Sequence, residues 1–328
     1  MADVGCRSPQ VSVVIPTHNR AHLLRRAIAS VLRQTFTDFE VLVVDDASTD
    51  DIGTAVANFR DSRIRLLPLS TRGGPGRARN YGMQAARGDL IALLDSDDEW
   101  LPSKLERQVS RLRQSSDPER TLVYCLYARR DALTGRTVLP PRIAPEGSCF
   151  ADLTRGWTFV TSAALVPRSA LLATGGFDER LVIGEDHDLW LQLANAGVQF
   201  AAVQDELVIV HHHSGPHQSA NPGAQRLASR LLDAKWKQTI RRATGESGYR
   251  RWRAWQYTQL QMTQFLRVRE ASAAGARWTA WRECLAMCRC LPWSRRFLLQ
   301  ALVLLVFGKG GYRALARIVN RFHPPRCT

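Results

Sequence analysis

The strongest constraint in this sequence is the alternation of short apolar runs with amphipathic stretches over its first hundred residues. The apolar runs are rich in β-branched residues, which is typical of buried strands, whereas the stretches between them place apolar residues at helical spacing. This alternation predicts an α/β fold with a mostly parallel sheet flanked by helices. The predicted strands are VSVVIP (11–16), FEVLVVDD (39–46), RIRLLPL (63–69) and DLIALLD (89–95), and the predicted helices lie in 20–34, 48–59 and 71–88.

The pattern weakens after Trp100 and changes again near residue 221. Beyond that point the chain is rich in Arg and Trp and favours helices, so we predict a catalytic domain over 1–220 and a basic α-helical region over 221–328. The intervening predictions are a helix at 102–114, a strand at 121–130, irregular chain at 131–160, a strand, short helix, loop and helix over 161–197, and strands in VQFAAV (198–203) and ELVIVHHH (206–213).

Charge and cysteine usage narrow the class of protein. The chain carries 45 Lys and Arg against 30 Asp and Glu, which suggests an anionic partner such as nucleic acid, an acidic membrane surface or a phosphate-bearing substrate. Its seven cysteines are scattered and odd in number, which does not indicate a disulfide framework. The polar start lacks the apolar core of a signal peptide, and the apolar run at 297–307 is shorter than a membrane span. We therefore expect a cytoplasmic protein, with attachment to a membrane surface left open.

Carboxylates gather where two of the predicted strands end. Ligands of parallel sheets bind at the carboxyl ends of the strands, so these acids fall where a site is expected. Asp45 and Asp46 can accept hydrogen bonds from a nucleoside, or serve as turn residues. Asp95 and Asp97 can share one Mg²⁺ or Mn²⁺ with diphosphate oxygens, or form a solvated acidic turn.

Two further polar clusters have both a functional and a structural interpretation. Arg77, Arg79 and Asn80 follow a glycine-rich loop at a helix start, which suits a phosphate cradle. Glu185 and Asp186 open a later helix, where a carboxylate is either a general base or an acid favoured by the helix dipole.

Taken together, these segments resemble the family 2 glycosyltransferases with the GT-A fold, in the family's order and over about residues 10–215. This resemblance implies a nucleotide-sugar-binding sheet and an inverting sugar transfer that depends on Mn²⁺ or Mg²⁺. The matching stretches are VSVVIPTHNR, FEVLVVDDASTD, GGPGRARNYGMQAARGDLIALLDSDDEW and GGFDERLVIGEDHDLWLQLANAG.

The resemblance also implies roles for individual residues. Asp186 is favoured as the catalytic base and Glu185 as a sugar or acceptor contact, although the two can be exchanged. Asp98 is expected to support the donor sugar or the metal. The expected metal ligands are Asp95, Asp97 and either His212 or His213. The expected nucleotide contacts are Pro16, Thr17, Asn19, Arg20, Asp45, Asp46, Arg79, Asn80, Asp95 and Ser96.

We therefore predict a sugar transfer to an acceptor hydroxyl in cell-surface polysaccharide or glycolipid synthesis. The favoured donor is a UDP-sugar, with GDP and dTDP close behind, and the expected acceptor is a saccharide or a lipid-linked saccharide. A basic C-terminal region favours an anionic membrane surface, on the inner face of the cell membrane, as a further partner. The alternatives are a nucleotidyl or other nucleotide-dependent transferase and a basic nucleic-acid-binding protein. Nucleic acid is not expected, because no common binding motif is visible and the acids would repel phosphate.

Overall fold

The computed structural model describes residues 8–131, 137–138, 144–212, 221–273, 276 and 278–282. The chain divides into two compact units, which are described separately below. The first comprises Met1–Leu153 with Trp157–Ser214, and the second comprises Thr154–Gly156 with Gly215–Thr328.

The first unit is built on one mixed sheet, and nine strands are found among the described residues. The strand order is β3-β2-β1-β4-β8-β6-β9-β5, with β7 paired to β6. The strands are β1 (Val11–Thr17), β2 (Phe39–Asp45), β3 (Ile64–Pro68), β4 (Leu90–Leu93), β5 (Glu99–Trp100), β6 (Thr121–Asp131), β7 (Thr137–Val138), β8 (Ala164–Pro167) and β9 (Gln199–His212).

Helices connect these strands. Single 3₁₀ turns at Pro118–Arg120 and Thr161–Ala163 precede β6 and β8. The helices of the first unit are α1 (Ala21–Leu32), α2 (Ile52–Ala57), α3 (Gly74–Ala85), α4 (Lys104–Arg113), α5 (Phe150–Thr154, whose last residue belongs to the second unit), α6 (Arg168–Ala173) and α7 (Glu185–Asn195).

The first four strands pair in parallel, which brings their carboxyl ends to one edge of the sheet. β1 lies between β2 and β4, so the strand order reverses there, and such a reversal opens a crevice at the carboxyl ends of the strands. β8 then pairs antiparallel with β4, and β6 pairs parallel with β9 through a β-bulge near Cys125 and Leu126. The predicted fold class is confirmed, with a second half more antiparallel than the sequence pattern indicated.

The parallel strands are buried on both faces, as their continuous apolar runs require. α3 packs closely on β1, because Gly82 faces Val14 and a Cβ at residue 82 would come within 2.5 Å of the Val14 Cγ1 atom. This glycine therefore permits the close approach that places the start of α3 beside the strand ends.

Two kinds of difference separate prediction from structure. β5 and β7 contain two residues each and α5 contains five, and none of them was predicted. Such elements are too short to show a hydrophobic period. The segments predicted as separate strands at 198–203 and 206–213 instead belong to the single strand β9, which ends at His212 and contains a bulge between the two segments.

The described part of the second unit is mainly α8 (Pro222–Ala273), which is interrupted at Gly245 by a left-handed backbone conformation with φ of 69°. Residues 278–282 are also helical. Among the described residues, no helix has both the length and the apolar character needed to cross a membrane. The apolar run at 297–307 lies outside the described residues.

Candidate active site at the carboxyl ends of the parallel strands

The loops that follow β1 and β2 are fastened to each other at the sheet edge. The amide oxygen of Asn19 accepts a hydrogen bond from the Thr49 backbone N–H at 2.7 Å, and the Asn19 N–H donates to the Ser48 hydroxyl. Asp50 accepts from the Ala21 N–H at the start of α1, while Asp51 caps α2 through the Thr54 N–H. These bonds fix the loop in which the first predicted nucleotide contacts lie.

Thr17 ends β1 at the base of this loop, directly after Pro16. Its carbonyl accepts from the Asp46 N–H at 2.9 Å. The Thr17 side chain is buried, and its hydroxyl finds no hydrogen-bond partner among the described residues. A buried hydroxyl of this kind is a polar group available to a ligand.

Asp46 is buried and holds the glycine-rich loop. Its two carboxylate oxygens accept hydrogen bonds from the backbone N–H groups of Gly73 and Gly74, each at 2.7 Å. Gly73 and Gly74 form the start of α3, so the carboxylate also lies at the positive end of that helix. The neighbouring Asp45 is half-buried and accepts from the Ser48 N–H at 3.0 Å. Both acids thus bind backbone, and their predicted contact with a nucleotide stays a prediction.

Arg79 brings two distant motifs together. Its guanidinium group is almost fully buried and donates to Asp95 at 2.7 Å and to Glu185 at 2.9 Å. It also lies over the ring of Phe177, 5.1 Å from the centroid. These two carboxylates raise the pKa of the Arg79 guanidinium, against the effect of burial, so this side chain stays charged. The charged Arg79 side chain therefore joins the end of β4 to the start of α7.

Asp97 is held by the helix that follows β1. The Arg20 side chain donates to the Asp97 carboxylate at 2.8 Å, and Arg26 donates to the Asp97 backbone carbonyl at 2.5 Å. Arg20 was predicted to contact the nucleotide, and the structure places it against the predicted metal-binding turn. Both partners of this ion pair remain partly exposed, with side-chain exposures of 29% and 18%.

Asp98 is the most deeply buried acid of the turn. Its carboxylate accepts from the Ser162 hydroxyl at 2.5 Å. Burial raises the pKa of Asp98 well above its usual range, and the negative charges of Asp95 and Asp97 raise it further. The three carboxylates therefore lie close enough to repel one another. Ser96, which lies between Asp95 and Asp97 in the sequence, is buried as well.

Glu185 and Asp186 open α7 after Gly184, which adopts a left-handed conformation with φ of 75°. Burial raises the pKa of Glu185 to about 7, although the adjacent Arg79 opposes the rise. Desolvation raises the pKa of Asp186 as well, and the Asp95 charge adds to it, whereas the His187 N–H that donates to Asp186 lowers it. A carboxyl group that titrates near neutral pH suits proton transfer.

Asn80 holds the loop that leads to these acids. Its side-chain amide donates to the Phe177 carbonyl and to Glu179, each at 2.9 Å, and its oxygen accepts from the Phe177 N–H. All three hydrogen bonds are made to residues 177 and 179, so Asn80 positions this loop, on whose Phe177 ring the Arg79 side chain lies. The neighbouring Arg77 donates to the Thr71 hydroxyl at 3.1 Å.

β9 ends within the run of three consecutive histidines, at His212. The described side chain is that of His211, which lies 3.1 Å from the Glu99 carboxylate, and Glu99 directly follows the acidic turn. His212 is the last residue of β9 and its side chain is not described. His213 lies outside the described residues, so both predicted histidine ligands stay predictions.

Within the described ranges, no three His, Cys, Asp or Glu side chains form a group that could hold a metal ion. Mg²⁺ usually binds one or two carboxylates and completes its shell with water and substrate phosphates. Asp95 and Asp97 lie on one turn and stay partly exposed, with side-chain exposures of 31% and 18%, so their residue types fit that kind of site. A metal ion at this turn stays a prediction.

Sequence reasoning missed Ser162, Phe177 and Arg26. The last two lie within or beside segments already singled out, so proximity to a motif was their available signal. Ser162 reaches the site through the antiparallel pairing of β8 with β4, and no sequence pattern indicated that register.

Two family models match the chain. The first, described as glycosyl transferase family 2, matches residues 12–156, and the second, described as glycosyl transferase family group 2, matches residues 90–311.

Two of the related sequences come from proteins whose names state a role. The Escherichia coli protein named UDP-Glc:alpha-D-GlcNAc-diphosphoundecaprenol beta-1,3-glucosyltransferase WfgD is 32% identical over 183 residues, which cover 56% of this chain and 69% of that protein. The succinoglycan biosynthesis protein ExoO of Rhizobium meliloti is 47% identical over 103 residues, which cover 31% of this chain and 30% of that protein.

Solved structures show the same fold. TarS from S. aureus (residues 1–349), crystallised in complex with UDP-GlcNAc, has a TM-score of 0.59 and 19% sequence identity, and the match covers 97% of this chain and 93% of that one. A second crystal structure of TarS contains UDP and has a TM-score of 0.54.

Proposed function

We propose a reaction for this chain, which belongs to glycosyl transferase family 2 and is a glycosyltransferase. It moves a sugar from a nucleotide-diphosphate donor to an acceptor hydroxyl, and the configuration at the anomeric carbon inverts. The observation that carries this proposal is the Arg79 side chain, which joins Asp95 at the end of β4 to Glu185 at the start of α7. Two acids with different tasks, one beside the leaving group and one beside the acceptor, are thereby held at one edge of the sheet.

The donor nucleotide is assigned to the crevice between β1 and β4. The buried Thr17 hydroxyl and the fastened loops at Asn19 and Ser48 supply a rigid wall with polar groups. We assign Asp46 and Asn80 to positioning, because their side chains already bind backbone groups of the glycine loop and of the 177–179 loop. Rigid loops of this kind lower the entropy lost when a ligand is bound.

Mn²⁺ or Mg²⁺ is assigned to Asp95 and Asp97, with the donor diphosphate completing the shell. When bound, such an ion stabilises the negative charge of the departing nucleotide diphosphate. Arg20 and Arg79 now neutralise these two aspartates, and both arginines lie where they can also contact a diphosphate. Three carboxylates lie together at this turn, and the charges of Asp95 and Asp97 add to the effect of burial in raising the pKa of Asp98, which supports a cation there.

Proton transfer from the acceptor is assigned to the start of α7. Asp186 takes the proton from the acceptor hydroxyl while that oxygen attacks the anomeric carbon opposite the leaving diphosphate, so the bond to the diphosphate oxygen breaks and the configuration inverts. Glu185, held by Arg79, orients the donor sugar or the acceptor. Burial raises the pKa of Glu185 to about 7 and raises the pKa of Asp186 above its ordinary value, which favours proton exchange at the start of α7.

The relatives suggest the class of substrates. The name of the E. coli relative specifies a UDP-glucose donor and a lipid diphosphate-linked acceptor, and the TarS structures contain UDP-GlcNAc or UDP. We therefore favour a UDP-sugar donor and a saccharide or lipid-linked saccharide acceptor, in the synthesis of a surface polysaccharide.

Attachment to an anionic membrane surface is a further part of the proposal. Lys and Arg far outnumber Asp and Glu along α8, and Trp278 in the short following helix is 89% exposed. Exposed indole rings and basic side chains both favour the membrane interface. Flotation of the full chain with phosphatidylglycerol vesicles tests this, and Trp278→Ala with Trp281→Ala should lower the bound fraction. Equal recovery of wild type with neutral and anionic vesicles would contradict it.

Thermal unfolding of the full chain with UDP-, GDP- and dTDP-sugars, each with and without Mn²⁺, tests the central proposal. A ligand that binds only the folded state raises the midpoint, and at a hundred times its Kd it contributes about 2.7 kcal/mol. We expect the largest shift from a UDP-sugar in the presence of Mn²⁺, and release of UDP when an acceptor saccharide is added.

Duplex DNA at physiological salt is the control, because a basic nucleic-acid-binding protein would be stabilised by DNA instead. A nucleoside triphosphate that stabilises the chain while no nucleotide sugar does so would favour the nucleotidyl transferase alternative.

A further inference from the structure

We infer that Ser162, which lies outside the sequence stretches that resemble the family, is a positioning residue that sets the conformation of the acidic turn at 95–98. The inference rests on the proposed function, since its consequence is measured in the transfer reaction.

The register of the sheet places Ser162 opposite the turn. β4 and β8 pair antiparallel, with Ala92 opposite Leu165 and Ile91 opposite Val166. Continuing that register beyond the last pair brings residue 95 opposite residue 162. Here the pairing ends, because the 3₁₀ turn Thr161–Ala163 begins, and the Ser162 side chain replaces the missing backbone partner. The Asp95 N–H donates to the Ser162 hydroxyl oxygen at 3.0 Å.

The same hydroxyl also binds the far end of the turn. Its proton is donated to the Asp98 carboxylate at 2.5 Å, while its oxygen accepts from Asp95. A serine hydroxyl has one proton to donate, so its donor capacity is used by this bond to Asp98. Ser162 is fully buried, so water does not take over these bonds when the hydroxyl is removed. Asp95 and Asp98 are thereby tied to one atom, with Asp97 between them.

Ser162 is itself held in place by its main chain. Its carbonyl accepts from the Trp100 indole N–H at 2.8 Å, and the adjacent Ala163 carbonyl accepts from the Gln108 side chain at 2.8 Å. Gln108 is anchored in turn by the buried Lys104 amine at 2.7 Å. The hydroxyl therefore has a defined position, and the turn conforms to it.

A displaced acidic turn should affect the donor side of the reaction more than the acceptor side. Asp95 and Asp97 are the residues assigned to the cation and the diphosphate, whereas Asp186 is assigned to the acceptor. Displacement of a reacting group by about 1 Å can cost on the order of a hundredfold in rate. Loss of a hydrogen bond to a charged group has an effect of the same order, roughly ten- to a hundredfold.

The experiment compares Ser162→Ala with Ser12→Ala in the full chain. Ser12 is a matched control, because it is also fully buried and its hydroxyl also accepts from a backbone N–H, that of Gly88, but it donates to the carboxylate of Glu40, which is not assigned to the site. Initial rates give kcat and the KM of donor and acceptor, and thermal unfolding is measured with UDP, GDP and dTDP in the presence of Mn²⁺. Ser162→Thr retains the hydroxyl.

We expect Ser162→Ala to lower kcat/KM for the donor by about ten- to a hundredfold, to leave the KM of the acceptor within about threefold, and to lose most of the nucleotide-induced shift. Ser12→Ala should lose a similar amount of stability and keep its donor kinetics within about threefold, and Ser162→Thr should regain activity. Equal donor kinetics in the two alanine variants, measured where both are folded, would overturn the inference. A wild-type chain that shows neither transfer nor a nucleotide-induced shift would instead refute the proposed function.

Discussion

The two acidic strand ends of this sheet differ in what holds their carboxylates. After β2, Asp46 is bound by the backbone N–H groups of Gly73 and Gly74. After β4, Asp95 and Asp97 are bound by the side chains of Arg79 and Arg20. Backbone donors of a helix start cannot move without unfolding the helix, whereas an arginine side chain can rotate to another anion.

These two kinds of partner distinguish the acids that stabilise the fold from those that remain available to a ligand. Asp46 contributes stability by satisfying two donors at the start of α3. Asp95 and Asp97 are neutralised by exchangeable partners and stay partly exposed, with side-chain exposures of 31% and 18%. Removing an acid should therefore damage activity at the β4 end and stability at the β2 end.

Asp97→Ala should cause the largest effect. We expect kcat/KM for the donor to fall by roughly a thousandfold or more, because charge stabilisation at a departing diphosphate is worth several kcal/mol. The free energy of unfolding should change by less than about 1 kcal/mol, since the ion pair with Arg20 is partly exposed. Initial-rate kinetics with Mn²⁺, together with urea unfolding, measure both quantities. A variant that keeps wild-type activity, with or without EDTA, would remove Asp97 from the cation site.

Asp186→Asn should have the next largest effect and extends the comparison to α7. We expect kcat to fall by about a hundred- to a thousandfold, the range for loss of a general base. Nucleotide affinity should stay within about threefold, because Asp186 is assigned to the acceptor. Calorimetric titration with UDP and Mn²⁺ checks affinity, and Glu185→Gln is the matched variant. Unchanged turnover in Asp186→Asn alongside a collapse in Glu185→Gln would exchange the two roles.

Much of this comparison could be predicted from the sequence. Buried strands that end in acids, and an acidic helix start at Glu185, are local patterns, so the position of each carboxylate along the chain was predictable. The partners were not, because Arg79 and Glu185 are separated by 106 residues and meet only when α3 and α7 pack. A hydrophobic period says which face of a helix is buried but not which distant element covers it.

The hydrophobic pattern of the sequence also does not predict the role of each individual acid. Asp46 and Asp95 follow similar apolar strands, yet one meets two N–H groups of a glycine loop and the other a guanidinium group. Ser162 is bound to the site by an antiparallel register, and a shift of one residue would reverse the direction of every side chain in β8. Register depends on long-range pairing, which one sequence does not display.

Asp46→Ala should mainly reduce stability. The change leaves two backbone donors at the start of α3 without their acceptor, and we expect a loss of about 2–4 kcal/mol in the free energy of unfolding. Asp45→Ala is the matched control. Its half-buried carboxylate accepts from one N–H, that of Ser48, so its loss should stay near 1 kcal/mol. Urea unfolding of both variants measures the difference, and equal losses would mean that the carboxylate of Asp46 is not a structural clamp.

Protonation of Glu185 should have the smallest effect, which is a dependence of the free energy of unfolding on pH. Burial raises its pKa to about 7, above the value of about 4.5 expected in the unfolded chain. The folded state therefore binds more protons between these values, so this contribution is fully present below pH 4.5 and is lost as the pH rises through 7. The slope should not exceed about 1.4 kcal/mol per pH unit. Glu185→Gln should remove this component from urea unfolding curves recorded between pH 5 and 8, whereas Asp46→Asn should leave it in place. An unchanged slope in Glu185→Gln would show that the Arg79 ion pair keeps Glu185 charged throughout, which would make it a fixed partner like Asp46 rather than an exchangeable acid.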